Sequence, residues 1–137
     1  GTVFNKKNIC CRQRFISIAG FNENESLGRK LENAVFTELL KKGNNIFYYK
    51  NDYGLECDFI IGDKKKINAA YQVCYDLNVN NEKREISGLI EAIKKFKLQE
   101  GIIITKSQEF TKKVDGCKIK CVPFWKWAGV GKLTIDN

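Results

Sequence analysis

A chain of 137 residues with 43% apolar content is long enough to bury one core without staples, and it is too apolar to be disordered. The formal net charge of +8 and a pI near 9.2 leave two surface readings open: a polyanion-binding face, or lysines that are evenly solvated. The sequence has no secretory leader and no long uncharged apolar run, so a cytoplasmic protein with no membrane association is the expectation.

The chain opens on Gly1 and contains no methionine, as expected of a domain cut from a longer polypeptide. Arg14-Phe15-Ile16-Ser17-Ile18-Ala19 reads as a short strand within an extension over 1–25, and the domain proper is expected over 26–137. Asn22 to Ser26 is a polar turn able to cap a helix. From Leu27 to about Lys42 the apolar residues Leu27, Leu31, Ala34, Val35 and Leu39 recur at helical spacing, and Gly43 is a fitting stop. Ile46 to Lys50 is an aromatic-rich strand, Asn51-Asp52-Tyr53-Gly54 a turn, and Leu55 to Ile61 an acidic strand. Gly62-Asp63 and the lysines after it turn the chain into a strand over Ile67 to Tyr75.

Glu82 to Leu98 has a buried stripe of Ile86, Leu89, Ile90, Ile93 and Phe96, with charge on the opposite face. Ile102 to Thr105 follows Gly101 as a short, fully apolar strand. Cys117 to Val122 is one more strand, and Pro123-Phe124-Trp125-Lys126-Trp127 opens a short helix whose rings close a core or dock a neighbouring domain. Strand, helix, strand in this order implies parallel neighbours and an α/β sandwich.

Strand alternation puts Glu56 and Asp58 on one side and Cys57, Phe59 and Ile61 on the other. Gln72 and Cys74 likewise share a side opposite Tyr71, Val73 and Tyr75. If the two strands pair with Asp58 near Gln72, oxygen donors converge as a hard divalent cation prefers. The alternative for Asp58 and Glu32 is pairing with Lys30, Arg29 or a helix N-terminus, and for Gln72 a hydrogen-bonded place in the core.

Six cysteines raise the question of zinc or disulfides. With no histidine, a zinc site would need Cys10, Cys11, Cys117 and Cys121, whose spacings do not match a zinc knuckle, so core packing is the expectation. Gly129-Val130-Gly131-Lys132-Leu133-Thr134 is not a phosphate loop. Lys126 stands where the first glycine belongs, and Leu133 where a magnesium-binding hydroxyl is needed, so no nucleotide site is expected.

Several motifs in order carry a resemblance. They are the helix Gly28-Arg29-Lys30-Leu31-Glu32-Asn33-Ala34-Val35-Phe36 with Glu38-Leu39-Leu40, then Tyr48-Tyr49, Gly54-x-Glu56-x-Asp58-Phe59, Gln72-Val73-Cys74, and Val122-Pro123-x-Trp125-Lys126-Trp127. Over roughly residues 26–128 the chain is similar to a C-terminal module of archaeal and bacterial AAA-type P-loop ATPases, one that follows a winged helix and belongs to the PD-(D/E)XK nuclease-like superfamily. Residues 1–25, with Arg12-Gln13-Arg14, depart from it. The resemblance implies a restriction-endonuclease-like mixed β-sheet flanked by helices. It further implies magnesium held at Asp58, Gln72 and the Val73 carbonyl, with Glu32 in reach and a lysine, here Cys74, to activate water. The implied partners are upstream ATPase and winged-helix domains; the charge clustering adds DNA as an expected partner, met by Lys64, Lys65 and Lys66 of the turn with Arg29 and Lys30 of the first helix, and homo-oligomers are a further expectation.

The departures bear on activity. Gln72 keeps an oxygen but loses a negative charge, and Cys74 supplies neither an ammonium donor nor a positive charge. Glu56 could restore the carboxylate, and Lys30 or Lys50 could stand in for the lysine. Three readings follow: a catalytically degenerate module that binds nucleic acid or regulates an ATPase, an active Mg-dependent nuclease using Glu32, Asp58 and Gln72, or a structural and oligomerisation domain.

Overall fold

A computed structural model describes residues 9–11, 23–63 and 65–129. The elements are β1 (Ile9–Cys11), α1 (Glu23–Lys41), β2 (Ile46–Lys50), β3 (Glu56–Gly62), β4 (Ile67–Val73), α2 (Glu82–Phe96), β5 (Glu100–Thr105), β6 (Phe110–Val114), β7 (Cys117–Pro123) and α3 (Phe124–Trp127). They form one seven-stranded mixed sheet in the order β1-β2-β3-β4-β5-β7-β6. β1 to β4 run as an antiparallel meander, β4–β5 and β5–β7 are parallel, and β6 returns antiparallel on β7. The expected α/β architecture, a mixed sheet flanked by helices, is the one found.

Two cores lie on the two faces. α2 covers one through Ile86, Leu89, Ala92, Ile93 and Phe96, which meet Cys57, Ile60, Ala70, Ile103, Ile119 and Cys121. α1 and α3 cover the other, where Val35, Leu39 and Trp127 gather on Phe59, Ile61, Ile104 and Val122. Cys57, Cys74, Cys117 and Cys121 are buried free thiols packed in the α2-side core, as small apolar side chains do. Trp127 closes the other core rather than standing free; its ring meets Tyr71 edge-on at 5.6 Å. No described helix is long and apolar enough to cross a membrane.

The structure corrects several expectations. The described part of α1 begins at Glu23, so Glu23 to Ser26 of the stretch expected to turn are helical, and Asn22 lies outside the described residues. α2 stops at Phe96 because Lys97 turns left-handed (φ 55°) and its N–H closes on the Ile93 carbonyl. β4 is regular to Val73, and its pairing with β5 runs on through the expected end at Tyr75: the Cys74 N–H donates to the Ile104 carbonyl at 3.0 Å and the Lys106 N–H to the Tyr75 carbonyl at 3.2 Å. β6 was not expected. Its signal is Asp115-Gly116, whose φ values of 53° and 79° are those of a two-residue hairpin turn joining β6 to β7. The strand expected over 14–19 and residues 130–134 of the discarded loop lie outside the described residues.

The most consequential difference is in β3. Strict alternation sends Cys57, Phe59 and Ile61 to one face, yet Cys57 packs under α2 while Phe59 and Ile61 pack under α1. The register explains it. Phe47 pairs with Ile60 but Tyr49 with Cys57, so β3 carries one extra residue and its phase flips at Asp58.

Candidate functional site

The bulge places Asp58 where the β3–β4 ladder ends. Regular pairing runs to Phe59–Tyr71, and beyond it side chains take over the backbone bonds. The Asp58 N–H donates to Gln72 Oε1 at 2.7 Å, and the Val73 N–H donates to Asp58 Oδ2 at 2.9 Å. Gln72 Nε2 donates to the Glu56 carbonyl at 2.9 Å and to the Glu85 carbonyl of α2 at 3.1 Å. The Cys57 thiol donates to the Tyr71 carbonyl at 3.4 Å. At 3% exposure, Gln72 obeys the rule that a buried polar group finds partners. Gly88 makes room for this clamp, since a Cβ there would lie 1.9 Å from the Glu56 oxygen and 2.9 Å from Gln72 Nε2.

Asp58 and Gln72 are thus neighbours, as expected, but not as two arms around a cation. The Gln72 oxygen expected to face a metal holds the Asp58 backbone, and its nitrogen ties β3 to α2. Cys74, on the same face as Gln72, is buried in the α2-side core and lines a cleft. Burial first, and then the negative charge of Glu85, push its thiol up to about 12, so it stays protonated. Glu56 is exposed and pairs with Lys50 across the strands at 3.5 Å, so the carboxylate and the lysine considered as replacements engage each other. Lys30 is exposed on α1, and Glu32 is half-buried on the same helix.

Glu85 escaped the sequence reading. Its side chain is 16% exposed, and its carboxyl is held above the usual range by burial, opposed by Arg84 at 3.2 Å and reinforced by the charges of Glu32 and Glu56. Its signal was helical phase. Glu85, Gly88, Leu89 and Ala92 share one face of α2, so an acid lay on the buried stripe. Even with Glu85 added, no three Asp, Glu or Cys side chains among the described residues are placed to hold a metal.

Beside the clamp lies a cleft of about 580 Å³ at the carboxyl ends of β4 and β5. Glu25 and Gly28 of α1, Val73 to Asp76, Arg84 of α2, Lys106 and Ser107 line it. Its floor is held by side chain–backbone bonds: Gln108 clamps both the N–H and the carbonyl of Leu77, and Asn81 Nδ2 donates to the Asp76 carbonyl at 3.0 Å. Carboxyl ends of parallel strands are where open sheets place ligands. Arg29 shares the helical phase of Glu25, Gly28 and Glu32 and so faces this cleft's side of α1, whereas Lys30 does not. Lys65 and Lys66 sit in the β3–β4 turn, where their N–H groups bond Asp63 Oδ1 at 2.8 and 2.9 Å. That turn is about 16 Å along the strand from Asp58, so these lysines stand away from the clamp. Lys64 lies outside the described residues.

The chain matches the family described as Domain of unknown function (DUF4143) over residues 27–127. Uncharacterized protein MJ1544 of Methanocaldococcus jannaschii is 43% identical over 119 residues, a match covering 79% of this chain and 26% of the relative. The chain therefore spans about a quarter of that relative's length. The family match begins with the Leu27 turn of α1, takes in Asp58, Gln72 and the cleft apart from Glu25, and stops at Trp127, so the chain belongs to the DUF4143 family, with the clamp and β2 to β7 inside the match.

Proposed function

We propose that this domain is a catalytically degenerate, nuclease-like module that binds nucleic acid, or transmits its binding, on behalf of a P-loop ATPase. The observation that carries the reading is the wiring of Gln72. Its amide satisfies Asp58, Glu56 and Glu85 backbone groups at once, so the position that would hold an acid for magnesium works as a structural clamp. The protonated Cys74 thiol stands where an ammonium would activate water. The cleft keeps what binding needs: Arg84 and Lys106 at its edge, Arg29 in phase beside it, and hydrogen-bonding groups from Asn78, Asn81 and Ser107. The family match spans nearly the same residues as the resemblance to the ATPase module, and the much greater length of the relative is in keeping with a domain serving a larger protein.

Oligonucleotide cleavage in magnesium and in manganese tests the first half. No turnover above blank is expected, and cleavage abolished by Asp58→Ala would overturn it. Fluorescence anisotropy tests the second half. Arg84→Ala with Lys106→Ala is expected to weaken binding about tenfold, and unchanged affinity would remove the cleft from the reading.

A further inference from the structure

β7 lies between β5 and β6, so it is an interior strand. Cys117, Ile119 and Cys121 enter the α2-side core, while Lys118 and Lys120 point to the opposite face and are exposed. On β6, Lys113 pairs with Lys118 and Thr111 with Lys120, and both are exposed on that face. α3 and α1 cover the other end, where Phe124, Trp127 and Val35 pack on Ile104 and Val122. On this face Ile102 is still half-buried against that core, whereas Lys118 and Lys120 beyond it are exposed.

Lysines on an edge strand protect against unwanted strand pairing, which accounts for β6. It does not account for Lys118 and Lys120, which lie where no edge exists. Setting Lys113 directly opposite Lys118 also costs stability, since like charges across a ladder repel. Glu100 answers only Lys118, at 3.3 Å, with both side chains still partly exposed. The row through Lys120 continues across the sheet to Ile102 and Tyr71. Trp127 packs edge-on against Tyr71, and the Lys42 ammonium sits 4.5 Å from the Trp127 ring centre. Cations on an exposed strand face, bordered by a ring that itself carries a cation, are among the elements with which sheet surfaces hold single strands.

We infer that this face, with Lys113, Lys118 and Lys120 as its phosphate contacts and Trp127 with Lys42 at its border, is a binding surface for single-stranded nucleic acid, separate from the cleft. It goes beyond the reading of the cleft and stands or falls without it. The test is anisotropy of labelled single-stranded and duplex oligonucleotides over a range of salt. Probes are the whole chain, a Lys113→Ala/Lys118→Ala/Lys120→Ala variant, Glu100→Gln, and the cleft pair Arg84→Ala/Lys106→Ala, each checked for folding by circular dichroism. The triple variant is expected to lose at least tenfold in single-strand affinity and to flatten the log–log salt slope by about 2. Glu100→Gln, which frees Lys118, is expected to tighten binding, and the cleft pair to leave the slope of the face in place. An unchanged slope in the triple variant, a preference for duplex, or binding lost through the cleft pair alone would overturn the inference, the last of these leaving the cleft reading intact.

Discussion

A glutamine side chain has two hydrogens to give and an oxygen to receive, and Gln72 commits all three to backbone groups. Gln72→Glu, which would restore the missing acid, therefore loses both donors and sets a carboxylate against the Glu56 and Glu85 carbonyls in a site 3% exposed. We expect it to lower stability by about 2–4 kcal/mol in urea unfolding at neutral pH, with no gain of magnesium binding. An equally stable variant that binds magnesium would contradict the clamp. Cys74, with its thiol near 12, is expected to resist alkylation in the native state, read by mass spectrometry after a short iodoacetamide pulse. Glu85 gives a pH dependence. Its folded pKa is raised, chiefly by burial, so its contribution to stability is present below the ordinary carboxylate range and is lost as pH rises through the raised value. Glu85→Gln should match the wild type at about pH 4 and exceed it at about pH 7, measured by urea midpoints. A gap that closes on going to neutral pH would reverse that sign. That Asp58 and Gln72 sit together was legible from the two polar strands. That the amide faces backbone was not, because sequence does not reveal where a ladder opens.

At the scale of elements, the helical periodicity of α1 and α2 and the apolar run of β5 were legible, since amphipathic spacing is written in the chain. The bulge of β3 was not. It comes from fitting Tyr49–Cys57 and Phe47–Ile60 to one partner strand, and it reverses the face assigned to the rest of β3 after Asp58. β6 had a legible signal in Asp115-Gly116 but little apolar content, being Thr-Lys-Lys between Phe110 and Val114. Two helical glycines measure how closely the elements approach. A methyl added at Gly28 of α1 would meet nothing within 4 Å, so Gly28→Ala should raise stability by about 0.5–1 kcal/mol through helix propensity alone. Gly88 of α2 would drive its methyl into the Glu56 carbonyl at 1.9 Å, so Gly88→Ala should instead cost about 2–4 kcal/mol. Equal effects of the two changes in thermal unfolding would mean that α2 does not lie so close on the β3 end.

Across the whole molecule, the sheet sorts its chemistry by strand end and by face. The carboxyl ends of β4 and β5 carry the clamp and the cleft, the α2 face carries the larger core, and the far half of the other face carries lysines. The net charge of +8 signalled a surface able to meet polyanions, and Lys112-Lys113 and Lys118 to Lys120 were legible as clusters beside the Lys64 to Lys66 turn; what the sequence did not reveal is that the β6–β7 pairing sets Lys113, Lys118 and Lys120 on one face. The functional reading depends above all on Asp58, Gln72 and Cys74 forming a hydrogen-bonded structural unit rather than a metal centre. Manganese titration followed by electron paramagnetic resonance separates the two, because the free ion has a strong signal that coordination diminishes. With a structural unit, the signal stays that of free ion at protein excess, alike for wild type and Asp58→Ala. Stoichiometric loss of signal in the wild type, restored by Asp58→Ala, would instead make the site a metal centre.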